Sequence, residues 1–230
     1  MKQMNKTIII TGTSRGIGFE LAQLFANNNY TVLALSRNTT TLQNLKLLNI
    51  KTFGVDLSVE SDIDVVIDYI KQQKLEIHGL IHNAGKLVNK PFLELSQDDF
   101  KETYQVNIFS VALLTQKVIP FLVKKSHVVT ISSMGGIQGS LKFPGLAAYS
   151  SSKGAVITLS ELLAEEYKEQ QIAFNVLALG AVQTEMLEEA FPGYKAPVKP
   201  KEMAQYIYDF TINGHQFYNG KVLEVSSTTP

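Results

Sequence analysis

Three glycines stand within the eight residues Thr11–Gly18 (TGTSRGIG). They lie between the β-branched apolar run Thr7–Thr11 and an amphipathic stretch, Gly18–Asn27, with Leu21, Leu24 and Phe25 on one face. A strand that ends in a glycine-rich turn and opens a helix is the setting of a dinucleotide-binding βα unit. Gly12 can make the tight turn. Gly16 and Gly18 let the backbone approach a pyrophosphate, which would sit on the helix N-terminus where unpaired N–H groups and the dipole favour anions. Ser14, Arg15 and Ile17 complete the loop. The spacing is G-x-x-x-G-x-G, and no Gly-Lys-Ser/Thr follows, which excludes an NTPase phosphate loop.

The rest of the chain repeats the strand-then-helix alternation. Expected strands are Thr7–Thr11, Thr31–Ser36, Lys51–Asp56, Gly79–Asn83, His127–Ser132, Phe174–Leu179 and Lys221–Val225. Most are β-branched with weak alternation, as suits strands buried on both faces of a parallel sheet. Val59–Gln73 carries Ile63, Val66, Ile67 and Ile70 at helical spacing, with Ser58 placed to cap it. Ser96 and Asp99 signal the start of a long helix running toward Val123 through Pro120, and Ala147–Gln170 reads as another. The pattern predicts one α/β domain over residues 1–230: a doubly wound, mainly parallel seven-stranded sheet of Rossmann type with helices on both faces. A dinucleotide-binding half is expected over about 1–125 and a catalytic and substrate half over about 126–230.

Composition narrows the chemistry. The chain has no cysteine, which excludes disulfides, thiolate metal sites and cysteine nucleophiles. Basic and acidic residues balance at 21 each, a poor match to nucleic acid or an anionic membrane. His78, His82, His127 and His215 show no ligand spacing, so no metal is assigned. Thr7–Gly12 is too short for a signal segment or a membrane span, and the expected compartment is the cytoplasm.

The end of the second strand should read the adenosine ribose: an acid there suits the 2′-hydroxyl of NAD, a base the 2′-phosphate of NADP. The residues are Ser36 and Arg37. Arg15, in the glycine loop, could reach the same phosphate. These are the only two arginines among 21 basic residues, and the planar guanidinium grips phosphate bidentately where lysine offers a point charge. NADPH is the expected cofactor.

Tyr149 and Lys153 (YSSSK) are four apart at a helix start, hence on one face. A nearby ammonium favours phenolate, so Lys153 is expected to lower the Tyr149 pKa and make it a usable general acid. Ser132 and Ser133 end the fifth strand, at the sheet edge where open α/β folds bind ligands. Asn83-Ala84-Gly85 closes the fourth strand at the same edge. Asn107 lies within a predicted helix, a position that asks for a reason.

Together TGTSRGIG, Asp56-Leu57, Asn83-Ala84-Gly85, Val106-Asn107, Ser132-Ser133, Tyr149 through Lys153 and Asn175 through Thr184 resemble the short-chain dehydrogenase/reductase family over nearly the full length. The resemblance implies a catalytic tetrad of Asn107, Ser133, Tyr149 and Lys153. Tyr149 would protonate a carbonyl oxygen that Ser133 orients, and Lys153 would bind the nicotinamide ribose. Asn107 would hold a water linking Lys153 to solvent. Asp56 and Leu57 would contact the adenine, Asn83, Ala84 and Gly85 the adenosine side, and Thr184 the nicotinamide amide. The chain departs from the family pattern at His82, where asparagine is usual, at Leu179 before Gly180, where proline is usual, and at its C-terminus.

The reading is an NADPH-dependent oxidoreductase acting on a small ketone, aldehyde or secondary alcohol. Leu87, Val88, Leu141, Phe143, Leu187, Phe191 and Tyr194 are expected to form an apolar pocket. The alternatives are a 3-oxoacyl-carrier-protein reductase and, from another class, a nucleotide-binding sensor without catalysis. Apolar residues on the helices near Gln97–Val123 and Ala147–Gln170 (Val111, Leu113, Leu114, Val118, Val156, Ile157, Leu159, Leu162, Leu163) exceed what one buried face needs. They lead to the expectation of a homodimer or homotetramer.

Overall fold

A computed structural model describes residues 6–226. Seven parallel strands form one sheet in the order β3-β2-β1-β4-β5-β6-β7. They are β1 Thr7–Thr11, β2 Thr31–Ser36, β3 Ile50–Gly54, β4 Ile77–His82, β5 Leu122–Ser133, β6 Ala173–Leu179 and β7 Val222–Val225. The helices are α1 Gly16–Asn27, α2 Thr40–Asn44, α3 Glu60–Gln72, α4 Gln97–Tyr104, α5 Ser110–Val118, α6 Ala147–Glu166, α7 Glu185–Ala190 and α8 Pro200–Asn213.

Strand side chains alternate between two cores, as the two-residue period of a strand requires. Ile8, Ile10, Val32 and Ala34 pack against Leu21 and Phe25 of α1 and Ile207 and Phe210 of α8. Ile9, Leu33 and Leu35 point the other way, onto Ile63, Val66 and Ile70 of α3 and Leu114 and Val118 of α5. Strand order reverses direction between β1 and β4, so the loops after these strands part and leave a crevice at the carboxyl edge.

Four local expectations are corrected. Ser58 does not cap α3: its hydroxyl donates to Asp56 Oδ1 at 2.6 Å, and Val59 takes the cap position. The long helix after Ser96 stops at Val118, and Pro120 lies in a 3-10 turn that leads into β5. It is also interrupted by a π turn, Gln105–Phe109. The Ser96–Asp99 capping box is present at its start. The surplus of apolar residues on α5 and α6 is smaller than the pattern implies, because Val111, Leu114, Val118 and Val156 are core residues; Leu162 remains 63% exposed. The final residues of the altered C-terminus, 227–230, lie outside the described residues.

Candidate active site

β5 carries Ser132 and Ser133 to the carboxyl edge of the sheet. Being adjacent in a strand, they face opposite ways. The Ser132 hydroxyl donates to the Lys153 carbonyl at 2.9 Å. Ser133 hydrogen-bonds Tyr149, and its Oγ accepts from the Gly135 N–H at 3.3 Å. The chain returns to α6, where Tyr149 and Lys153 stand one turn apart. Lys153 is 4% exposed, and its Nζ donates to the Ile131 carbonyl at 2.8 Å.

This arrangement reverses one expectation. Burial pushes the Tyr149 phenol up to about 12, and only the Ser133 hydrogen bond acts downward. The Lys153 Nζ lies 5.7 Å from the tyrosine ring centroid and donates to a backbone carbonyl, not to the phenol, and burial is the dominant effect on the phenol. Burial likewise lowers Lys153 to about 8.

Asn107 sits in the π turn, a rare local geometry that collects at functional sites. Its Oδ1 accepts from Lys86 N–H at 2.8 Å, and its Nδ2 donates to the Lys86 carbonyl at 2.9 Å and to Ser152 Oγ at 2.8 Å. Ser152 in turn donates to the Tyr149 carbonyl at 2.7 Å. Asn107 therefore ties the loop after β4 to the first turn of α6. A Cβ at Gly85 would stand 3.5 Å from Asn107 Oδ1 and 3.6 Å from Lys153 Nζ, so any larger residue there would enter the site. Ser132 at the strand end and Ser152 within the YSSSK run carry no assigned role in the sequence pattern; in the fold each donates to a backbone carbonyl of α6.

The glycine loop is fastened to the β4 edge. Thr11 Oγ1 accepts from the N–H groups of Asn83 and Ala84, each at 3.0 Å. Asn83 Nδ2 donates to the carbonyls of Thr11 and Gly12 at 3.0 and 3.1 Å. Asn83 thus holds the loop in shape with its side-chain amide. Gly12 has φ +72°, and a Cβ on Gly18 would meet the Gly12 carbonyl oxygen at 2.2 Å. Arg15 stands at the N-cap of α1 without a side-chain cap hydrogen bond, and the first turn holds no acid. A glycine cradle over an uncapped helix start fits a pyrophosphate. Ser14 borders the loop half-buried, and Ile17 packs against the core.

The remaining predicted contacts divide. Arg37 is exposed and in no ion pair among the described residues, and its charge helps lower the Asp56 carboxyl, below the leading effect of the Ser58 hydrogen bonds. Leu57 packs its side chain into the core. Arg15 is paired with Glu189. Thr184 caps α7 through Leu187 N–H at 3.3 Å. His82 is buried and bonded to Thr115 Oγ1 at 2.9 Å. Leu179-Gly180 leads into a segment that includes the Val182–Val198 bridge. Phe143 lines a groove of about 1030 Å³ on the face of α6 that presents Ser150, Ser151 and Gly154; Tyr149 and Lys153 do not line this groove.

Residues 6–195 match the family described as short chain dehydrogenase. The 3-amino-tetrahydro-pyrrolizinone reductase of Xenorhabdus hominickii is 33% identical over 183 residues, which cover 78% of this chain and 62% of that enzyme. The 3-oxoacyl-(acyl-carrier-protein) reductase FabG of Thermotoga maritima is 26% identical, with 98% of each chain covered. A solved structure of 4-hydroxyisoleucine dehydrogenase complexed with NADH superposes with a TM-score of 0.87 at 27% identity, covering 96% of this chain and 97% of that one.

The chain belongs to the short-chain dehydrogenase family. It is an oxidoreductase of the class that exchanges hydride between a nicotinamide cofactor and a carbonyl or CH–OH group. Among the described residues no helix is long and apolar enough to cross a membrane.

Proposed function

We propose that the chain reduces a small ketone or aldehyde, with NADPH as cofactor and Tyr149 as general acid. The nicotinamide, when bound, supplies the hydride. Tyr149 holds a proton at its phenolic oxygen across the neutral range and delivers it to the carbonyl oxygen as negative charge develops there. Ser133, hydrogen-bonded to Tyr149, orients that oxygen. Lys153 presents its ammonium beside Gly85, where the ribose would lie, and Asn107 positions the Tyr149 turn of α6 through Ser152 while holding a water toward solvent. Gly12, Gly16 and Gly18 cradle the pyrophosphate on α1. Asp56 and the Leu57 backbone border the adenine, and Thr184 the nicotinamide amide. Arg37 and Arg15 are assigned to the 2′-phosphate.

The observation that carries this reading is the convergence of Ser133, Tyr149, Lys153 and Asn107 on one edge next to the glycine loop, with Asn107 tied to the Tyr149 turn through Ser152 and Lys153 Nζ beside Gly85. A non-catalytic nucleotide sensor has no use for that set. A panel of carbonyl compounds, followed by loss of reduced-nicotinamide absorbance, tests it; binding without turnover across the panel opposes it. A second reading, 3-oxoacyl thioester reduction, is favoured by the end-to-end match to the Thermotoga maritima reductase. A 3-oxoacyl thioester in the same panel separates the two. We also read the chain as a homo-oligomer, with Leu162 and the exposed Phe109 at the interface; a monomeric mass in light scattering opposes this.

A further inference from the structure

α7 lies across the mouth of the crevice and is fastened on both sides. Its start rests on the glycine loop: a Cβ on Gly16 would stand 3.4 Å from both Glu185 Oε2 and Thr184 Cγ2. At its other end the Ala190 carbonyl accepts from Asn89 Nδ2 at 2.8 Å. In addition, Arg15 Nη1 and Nη2 donate to Glu189 Oε1 and Oε2 at 2.5 and 3.1 Å.

That pair is unlike its neighbours. Every other ion pair among the described residues uses lysine. Glu189 receives a two-point fork, a geometry that guanidinium supplies and ammonium does not. It takes the end-on edge of the guanidinium, and Glu185 adds a second negative charge nearby. A phosphate monoester on the adenosine ribose would call on the same donors.

We propose that Glu189 is a cofactor-specificity residue, which competes with the 2′-phosphate for Arg15 and so limits the discrimination between NADPH and NADH while it latches α7 to the glycine loop. The proposal rests on the assignment of Arg15 to the 2′-phosphate made above. NADPH gains Arg15 only by breaking the latch. NADH has no group that needs this guanidinium, so the pair persists. Because both partners are about half exposed or more, the pair is a modest competitor and not a block.

The test is titration calorimetry of NADPH and NADH against the unmodified chain, Glu189→Gln, Arg15→Ala and the double variant, all at one low ionic strength. Glu189→Gln should tighten NADPH about two- to five-fold and leave NADH unchanged. In the Arg15→Ala background the same substitution should move neither. An equal gain for both cofactors makes Glu189 a latch without selectivity and overturns the proposal, as does an unchanged or falling NADPH preference. If Arg15→Ala shifts neither cofactor, the assignment of Arg15 itself fails. If the unmodified chain binds neither cofactor, the nicotinamide reading fails, and the proposal with it.

Discussion

Lys153 Nζ donates to the Ile131 carbonyl at 2.8 Å and stands 5.7 Å from the ring centroid of Tyr149. The cation is anchored to the strand that ends in Ser133, and burial dominates the phenol, pushing it up to about 12. A tyrosine that keeps its proton suits carbonyl reduction; oxidation of an alcohol needs it deprotonated. Reduction is therefore expected to be fast near neutral pH, and oxidation to climb steadily with alkalinity. Measuring kcat/KM in both directions from about pH 6 to 10 checks this. An oxidation profile flat over that range counts against a buried, protonated Tyr149.

Tyr149→Phe deletes one hydroxyl and leaves the packing of α6 in place. Turnover should fall by about 10²–10⁴-fold, the usual contribution of a general acid. NADPH binding, followed by calorimetry, should survive. A variant that keeps near-normal kcat removes Tyr149 from the chemistry.

His82 ties stability to pH. Burial, reinforced by the Lys153 charge, lowers His82 to about 3, while the unfolded chain titrates near its ordinary value of 6.5. The unfolded state therefore binds more protons between these values, so stability is present above 6.5 and is lost as pH falls through the window. Each tenfold difference in proton affinity is worth about 1.4 kcal/mol. Buried His127, lowered to about 4, adds to the same loss. His82→Asn should flatten the acid limb in urea denaturation between about pH 7 and 4.5. Parallel curves for the two proteins would show that His82 does not drive it.

Arg37 is the arginine not engaged by a carboxylate fork. Arg37→Ala should raise the KM for NADPH by roughly 10- to 150-fold, the range of one charge-assisted contact. NADH should be nearly unaffected, and added salt should weaken NADPH more than NADH. Equal kcat/KM for the two cofactors in the unmodified chain would refute the assignment. Ser36, just before it, is a poor place to reverse the preference: it is 7% exposed and donates to the Asn38 carbonyl at 2.8 Å, so a carboxylate there would be buried.

The sheet was legible because short runs such as Thr7–Thr11 and Thr31–Ser36 bury both faces, which leaves an unbroken apolar signal. Spacing also located Tyr149 and Lys153, since four residues on a helix fix a shared face. What escaped depended on contacts between distant segments. No local pattern reports that the Ile131 carbonyl captures the Lys153 ammonium, or that Glu189 reaches Arg15 across 174 positions. Thr11 shows the same limit, because its role as acceptor for Asn83 and Ala84 arises only when β1 and β4 become neighbours.

The π turn at Gln105–Phe109 acts as a phase shifter between two rods. Each residue of an α-helix advances the face by about 100°, so one extra residue in the turn rotates α4 against α5 by roughly that angle. α5 can then keep Leu114 and Val118 on the sheet while α4 presents Asp99 and Glu102 to Lys90 and Lys86. Deleting a single residue from the turn would restore a regular helix. It would also swing those carboxylates away from the loop after β4 and carry Asn107 out of reach of Ser152. The π turn that the sequence reads through as one continuous helix is the feature that aims Asn107.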